Sequence, residues 1–296
     1  MRACIIFNPT AKGDKARHFR RHLAEFAGAV ALKPTQAPGD GRRLAAEAVR
    51  DGFDTLVAAG GDGTVNEVLN GMADAPEGFT RARLAVLPLG TVNVFARELG
   101  LPLHLRSAWQ AILNGTERMI DVPFADYTNA AGSHRRFFAQ MAGAGLDARA
   151  ISLVDWETKK RFSQFAYVLA GMKAMRGPHP PITVEADGRT VTGELVLVGN
   201  GRFYGGRLPV FPDAKLDDGL LDLCVFPRVE WGLIARYALG FVTGHPLVPR
   251  DVKMLRAPRA RLTAASVPFE VEGDLCGMLP VELSVLPGVL RVVAPR

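Results

Sequence analysis

Thr55-Leu-Val-Ala-Ala-Gly60-Gly-Asp-Gly-Thr-Val65-Asn-Glu-Val68 is the stretch on which the fold turns. Residues 55–59 form a short, wholly apolar run of the kind buried in a sheet, three glycines surround Asp62, and residues 64–72 carry helical spacing. Strand, glycine turn and helix in that order create a place for phosphate. Glycines let the backbone come close to an oxyanion, and a helix N-terminus adds free N–H groups and positive potential. The turn is neither the dinucleotide Gly-x-Gly-x-x-Gly nor a Walker loop, because no Gly-Lys-Ser/Thr follows. Asp62 would repel a phosphate unless a divalent cation stood between them. The plain alternative is a tight strand-to-helix turn in which Asp62 is only a cap.

Outward from this turn the pattern repeats. Residues 2–7 are an apolar, β-branched run ending in Asn8-Pro9; residues 14–27 and 40–51 show helical spacing; residues 83–88 read as a strand and 91–99 as a helix closed by Gly100 and Pro102. Strands alternating with helices predict a parallel sheet covered on both faces, a three-layer α/β nucleotide-binding domain over residues 1–121. Beyond Asp121 the texture changes to short runs at 136–142, 182–185, 194–199, 221–226, 259–263, 268–272, 281–285 and 289–294, punctuated by Gly, Pro and Asp. These predict a β-sandwich-like domain over 122–288, interrupted by helices at 158–175 and 230–243. The last strand, near 289–296, is free to return to the first domain.

Composition sets the outer limits. The chain has 296 residues, 48% hydrophobic and 22% charged, enough for normal cores without disulfides. Its 36 basic and 30 acidic residues leave +6, which suits anionic partners without naming one. Cys4, Cys224 and Cys276 lie in or beside apolar stretches without metal-ligand spacing and read as buried free thiols. No signal-peptide pattern opens the sequence, and the apolar run at 233–242 is short and carries Arg236. A cytoplasmic protein is expected, with any membrane contact peripheral at the inner face. Basic residues are scattered rather than striped, so no nucleic-acid partner is expected. The oligomeric state, a homodimer included, is left open.

Gly60-Gly-Asp-Gly-Thr-Val-Asn-Glu67 resembles the nucleotide-binding signature of the diacylglycerol kinase catalytic-domain family, which includes soluble bacterial lipid kinases and relatives of the sphingosine and ceramide kinases. Three further segments agree in order: Asn8-Pro-Thr-Ala-Lys-Gly13, Pro88-Leu-Gly-Thr-Val-Asn-Val-Phe-Ala-Arg97, and Gly205-Gly206 followed by Ala214-Lys-Leu-Asp-Asp-Gly-Leu-Leu-Asp222. The resemblance implies two domains with ATP and a lipid alcohol meeting in the cleft between them, and Mg2+ as cofactor. It places ATP contacts at Asn8, Pro9, Thr10, Ala11 and Lys12, at Thr35, at Gly60, Gly61, Asp62, Gly63, Thr64, Val65 and Asn66, and at Thr91. It implies a structural magnesium held by the Lys215 and Leu220 carbonyls and the Asp218 carboxylate. Read alone, the same loop is an ordinary Asp-Gly turn.

Two departures bear on catalysis. The family has Asp-Gly-Glu near its C-terminus, the Glu taking the acceptor's proton; here the order is Glu272-Gly273-Asp274. Asp274 is the corresponding candidate, one methylene shorter, which retracts the carboxylate by roughly 1 Å. Val94 stands where diacylglycerol kinases carry an Asp of the metal and water network; sphingosine kinases also lack it while keeping the Asn, here Asn93. Asp62 therefore carries more of the metal-linked role. The expected activity is phosphoryl transfer from ATP to diacylglycerol or a similar lipid alcohol. A sphingoid base is the nearest rival acceptor. NAD kinases share Gly-Gly-Asp-Gly, but Asn8-Pro9 and Gly90-Thr91-x-Asn93 argue against that activity. A non-catalytic nucleotide- or lipid-binding protein is the alternative from another class. His18 and His22 lie four apart, but neighbouring arginines make a solvated basic face the simpler reading. Residues 156–165, cationic among aromatics, fit either an anionic membrane or ordinary packing.

Overall fold

The computed structural model describes residues 1–9, 14–21, 30–153, 171–243 and 251–296. The chain divides into two compact units, one of residues 1–122 with 287–296 and the other of 123–286. Residues 10–13, which include Thr10, Ala11 and Lys12, lie outside the described residues, as do His22 and the 156–165 segment.

The first unit is built on β1 (Ala3–Phe7), β2 (Val30–Pro34), β3 (Thr55–Gly60) and β4 (Arg83–Pro88), in the order β2-β1-β3-β4 and parallel throughout. Every residue of β1 and β3 is buried, as expected of strands covered on both faces. The last strand, β16 (Val281–Ala294), joins β4 in parallel at Val292↔Leu84. Ile5, Phe7, Val57, Ala59, Ala85, Leu87 and Val293 form one core face with Phe19 of α1 (Asp14–Arg21) and Ile112 of α6 (Leu105–Asn114). The helices α2 (Asp40–Arg50) and α3 (Asp62–Asp74) bury Ala45, Ala48, Val49, Val68, Leu69 and Met72. Between α3 and α6 lie two short helices, α4 (Gly78–Arg81) and α5 (Val94–Glu98).

The second unit holds two antiparallel sheets. One has the order β12-β11-β10-β7-β14-β15, with β7 (Met141–Gly145), β10 (Leu195–Gly199), β11 (Leu221–Phe226), β12 (Lys253–Ala257), β14 (Pro268–Val271) and β15 (Asp274–Met278). The other pairs β13 (Arg259–Thr263) with β16 and with β8 (Ile182–Ala186), then β9 (Arg189–Gly193). A hairpin of β5 (Thr116–Asn129) and β6 (Gly132–Phe137) completes it. Ala142, Val196, Leu223 and Phe269 from the first sheet meet Val184, Leu262 and Leu283 from the second in one core. That inter-sheet contact is a β-sandwich. The outer face of the six-stranded sheet is covered by a second core including Leu146 of α7 (Leu146–Ser152) and Leu233 of α8 (Trp231–Thr243). All three cysteines are buried and free.

Three elements differ instructively from the sequence patterns. The expected helix over 91–99 begins only at Val94, because Asn93 is left-handed (φ 54°) and ends a turn of its own. The expected strand over 136–142 is broken: residues 138–140 leave the ladder, and two of their amides turn to the Glu272 side chain. The two runs at 281–285 and 289–294 are one strand of 14 residues.

Candidate functional site

Register brings the nucleotide-side candidates of the first unit to one edge. Phe7 lies opposite Pro34 and Ala59, and Gly60 opposite Pro88, so all four parallel strands end level. Asn8-Pro9, Thr35, Gly60 to Gly63 and Gly90-Thr91 are therefore the residues that leave the carboxyl edge. Thr35 is fixed there by its N–H donating to the Phe7 carbonyl at 2.9 Å. The order β2-β1-β3 reverses direction at β1, and open α/β sheets bind ligands at the carboxyl ends beside such a reversal.

The two glycine turns are packed backbone to backbone. The Gly60 carbonyl accepts the Leu89 N–H at 2.9 Å and the Gly90 N–H at 3.2 Å. A Cβ on Gly90 would stand 2.6 Å from the Gly61 Cα and 2.8 Å from Asn93 Oδ1, so no side chain fits between the turns. Asn93 donates its Nδ2 to the Gly90 carbonyl at 2.6 Å, and among the described residues its buried Oδ1 has no hydrogen-bond partner. Behind them Glu67 accepts the Gly39 and Gly41 amides at 3.0 and 2.8 Å, tying α3 to the start of α2. Glu67 closes the glycine signature, yet only its spacing from Gly39 in space, invisible in sequence, reveals its work.

Gly63 is different. It is exposed, at the first turn of α3, and among the described residues a Cβ there would meet nothing within 4 Å outside its own helix turn. No packing among the described residues demands glycine; open room in front of a helix N-terminus does, if a phosphate must reach the N–H groups that have no intrahelical partner. Gly63→Ala should accordingly raise stability by about 0.5–1 kcal/mol, the helix preference for Ala over Gly. ATP affinity should fall by roughly tenfold or more, the size of one lost charge-assisted contact. Thermal unfolding and calorimetric titration with ATP check both; unchanged affinity would remove phosphate from Gly63.

Asp62 Oδ1 accepts the Phe95 N–H at 3.1 Å, and the Val94 and Asn93 amides also point to this carboxylate. Burial pushes its carboxyl above the ordinary value, and these amide donations oppose the rise. The side chain that begins α3 thus caps α5, and the cap role expected as the plain alternative is present. Among the described residues no cation pairs with Asp62, so a carboxylate lacking a counter-charge faces the turn. Val94 is buried in the core and gives only its N–H, so the position has no polar side chain to offer. Two expected contacts are also turned inward: Val65 is buried, and Asn66 is buried with Asn70 Nδ2 on its carbonyl at 2.9 Å. The Thr64 and Val65 amides donate to the Gly61 carbonyl at 3.0 and 3.1 Å, so the Val65 amide is also taken up within the turn.

In the second unit β14 and β15 are joined by two residues, Glu272 and Gly273, with Val271 opposite Asp274. Both loop residues are left-handed (φ 53° and 80°), as a twisted two-residue hairpin requires. Glu272 Oε1 accepts the Ala139 and Gln140 amides at 2.8 and 2.7 Å. These bonds offset a left-handed Glu, whose strain costs of order 1 kcal/mol. Glu272 is therefore committed to holding the hairpin, and Asp274 is the acid left on the surface, 59% exposed and paired with Arg136 Nη2 at 2.6 Å. Arg136 escapes sequence reasoning because 138 residues separate it from its partner.

The 215–220 loop carries its own counter-charge. Asp218 Oδ1 accepts the Leu220 N–H at 3.1 Å, while its other oxygen contacts Arg256, whose Nε also lies 3.1 Å from Asp222 Oδ1. Burial pushes Asp222 up to about 6, with Arg256 opposing. A magnesium on Lys215, Asp218 and Leu220 would have to displace that guanidinium, so the donor set as arranged does not fit the ion. Arg256→Ala should cost about 1–3 kcal/mol by stranding two acids. Mg2+ without nucleotide should then raise the variant's thermal midpoint but not the wild type's. An equal rise in the wild type would show that the ion does displace Arg256.

Residues 2–125 match the family model described as the diacylglycerol kinase catalytic domain. Residues 140–294 match the YegS C-terminal NAD kinase beta sandwich-like domain. Among curated proteins, diacylglycerol kinase of Bacillus subtilis (strain 168) is 32% identical over 307 residues, covering 100% of this chain and 97% of its own. Diacylglycerol kinase of Staphylococcus aureus (strain bovine RF122 / ET3-1) is 31% identical over 314 residues, covering 100% and 93%. A solved diacylglycerol kinase structure from Bacillus anthracis superposes with a TM-score of 0.71 at 25% identity, over 99% of this chain and 96% of that one. The level strand ends, the paired glycine turns and these full-length matches agree: the chain belongs to the diacylglycerol kinase catalytic-domain family.

Proposed function

We propose that the protein is a lipid kinase that transfers the γ-phosphate of ATP to a hydroxyl of diacylglycerol or a similar lipid alcohol. The observation that carries the nucleotide half is the Gly63 opening at the N-terminus of α3, a helix of 13 residues set at the carboxyl edge of the parallel sheet. The relatives' names carry the acceptor half. ATP phosphates rest on the turn from Gly60 to Thr64, with Asn8, Pro9, Thr35 and Thr91 leaving the same edge. Asp62, an acid without a counter-charge among the described residues, is the residue present that would hold the Mg2+ accompanying ATP. When bound, that ion neutralises charge on the β- and γ-phosphate oxygens. Asp274 takes the acceptor proton: the lipid O–H bond breaks as its oxygen bonds the γ-phosphorus, and the bond from that phosphorus to the bridging oxygen breaks to release ADP. Arg136 holds the Asp274 carboxylate in one place beforehand.

Among the described residues no helix is long and apolar enough to cross a membrane. The lipid acceptor is then met where it resides, at a membrane surface. The test is labelled ATP with diacylglycerol in mixed micelles, followed by identification of the labelled product. A labelled phosphatidic acid supports the reading; nucleotide binding with no labelled lipid from a broad acceptor panel would replace it with a nucleotide-binding protein of the same fold.

A further inference from the structure

Beneath the hairpin that carries Asp274 lies a group of three oxygen-bearing side chains which the proposed chemistry does not use. Glu270 of β14 is 1% exposed, and its carboxyl hydrogen-bonds that of Asp147 in α7. Tyr204 donates its hydroxyl to Asp147 Oδ2, with Glu270 Oε1 3.3 Å away. The room for all three is made by Gly143, which lies opposite Glu270 across the β7–β14 pair. A Cβ on Gly143 would stand 2.8 Å from Asp147, 2.9 Å from the Tyr204 hydroxyl and 3.0 Å from Glu270.

Two carboxyls can bond each other only if one keeps a proton, since two buried carboxylates in contact repel. The geometry says which. Glu270 Oε2 accepts the Gly273 N–H at 2.6 Å, whereas Oε1 faces Asp147 and Tyr204. An acid with its hydroxyl on Oε1 satisfies every partner: it donates to Asp147 and accepts from Gly273, while Asp147 accepts from both Glu270 and Tyr204. The groups facing Glu270 are Asp147, Tyr204, the Glu272 charge and Cys276 of β15. Burial foremost, then the Asp147 charge, raises the Glu270 carboxyl well above its ordinary value.

We propose that Glu270 and Asp147 share one proton inside the second unit, and that Glu270 in this protonated form is a positioning residue for Asp274. Its grip on Gly273 fixes the centre of the turn from one side, as Glu272 does from the other through Ala139 and Gln140. Loss of the shared proton places like charges in contact and drives Glu270 away from Asp147, releasing Gly273 and with it the Asp274 carboxylate. The catalytic part of this inference rests on the kinase reading above; the proton itself does not.

The sign of the pH effect follows from the raised carboxyl. Stability from the shared proton is complete at pH values below the ordinary carboxylate range and is lost as pH rises toward the folded-state value. Glu270→Gln keeps both bonds, the amide nitrogen donating to Asp147 and the amide oxygen accepting from Gly273, but cannot titrate. Glu270→Ala keeps neither. The experiment measures the thermal midpoint from the ordinary carboxylate range up to alkaline pH, and kcat and KM for lipid phosphorylation, in wild type and both variants. Wild type should lose stability with rising pH, and Glu270→Gln should flatten that slope. At neutral pH, Glu270→Gln should hold kcat within about twofold and Glu270→Ala should lose about tenfold or more in kcat with the ATP KM little changed. Equal pH slopes in wild type and Glu270→Gln would overturn the shared proton. A Glu270→Gln loss matching that of Glu270→Ala would overturn positioning by this proton. Should the wild type phosphorylate no lipid, the stability profiles still decide the proton, so the two failures remain distinct.

Discussion

Asp62→Asn should abolish lipid phosphorylation while leaving the protein folded. The carboxylate accepts the amides that begin α5, and an Asn oxygen can keep one of them, so the expected stability change is about 1 kcal/mol or less. The substitution also removes a charge whose burial is unfavourable, which offsets part of the lost hydrogen bonding. What cannot be replaced is the anion itself. On the proposed reading this negative group beside the ATP phosphates has value only through the cation it holds, and removing one electrostatic element of that kind costs about 10²–10³ in kcat. The measurement is steady-state transfer to diacylglycerol over a range of Mg2+, with thermal unfolding as control. Full activity at ordinary Mg2+ would reduce Asp62 to a cap for α5. Asp62→Ala separates the two roles further, since it removes the cap as well and should cost measurable stability.

Asp274→Asn is expected to be the second severe loss, about 10²–10⁴ in kcat, the usual worth of a positioned proton acceptor. Stability should hardly move, because the Arg136–Asp274 pair is mostly exposed on the acidic side and such pairs contribute about 0–1 kcal/mol. ATP binding should be unaffected, so the loss falls on kcat with the nucleotide KM unchanged. Glu272→Gln provides the contrast. Glu272 accepts two amides through Oε1, so its replacement should mainly loosen the hairpin. If Asp274→Asn keeps full turnover, the proton leaves by another route and the interchange of the two acids has moved the base elsewhere.

The contrast between the acids shows where sequence is readable. Gly60 to Asn66 announced a strand, a turn and a helix because each of those signals is local: apolar run, glycines, helical spacing. The level edge made by Phe7, Pro34, Ala59 and Leu87 followed from the parallel order, and so did the nearness of Asn8, Thr35 and Gly90. Partnerships across long separations were not readable. Glu67 works through Gly39 and Gly41, Asp274 through Arg136, and Asp218 through Arg256, and nothing in the spacing of these residues marks them. Glu270 is the clearest case. In Phe269-Glu-Val-Glu-Gly-Asp274 it looks like one more strand acid, and only sheet register places it opposite Gly143 and toward Asp147. The inward turn of Val65 and Asn66 was hidden for a related reason, since a motif gives the order of residues but not the side of the helix that is buried.

The return of β16 to the first unit has a consequence for how the chain must be made. Leu290, Val292 and Val293 are buried there, Arg291 bonds the Thr80 carbonyl at 2.6 Å, and Gly288 donates its N–H to Asp121 at 2.7 Å. The nucleotide-side sheet is therefore incomplete until residues 287–294 have left the ribosome, although its other strands emerge first. Contacts of such long sequence separation slow folding, and the intervening unit must form or wait while the edge of β4 stands open. For the same reason the first unit cannot be cut out as one contiguous fragment. A fragment ending near residue 122 would lack the apolar strand that covers Leu84, and would present an aggregation-prone edge in its place.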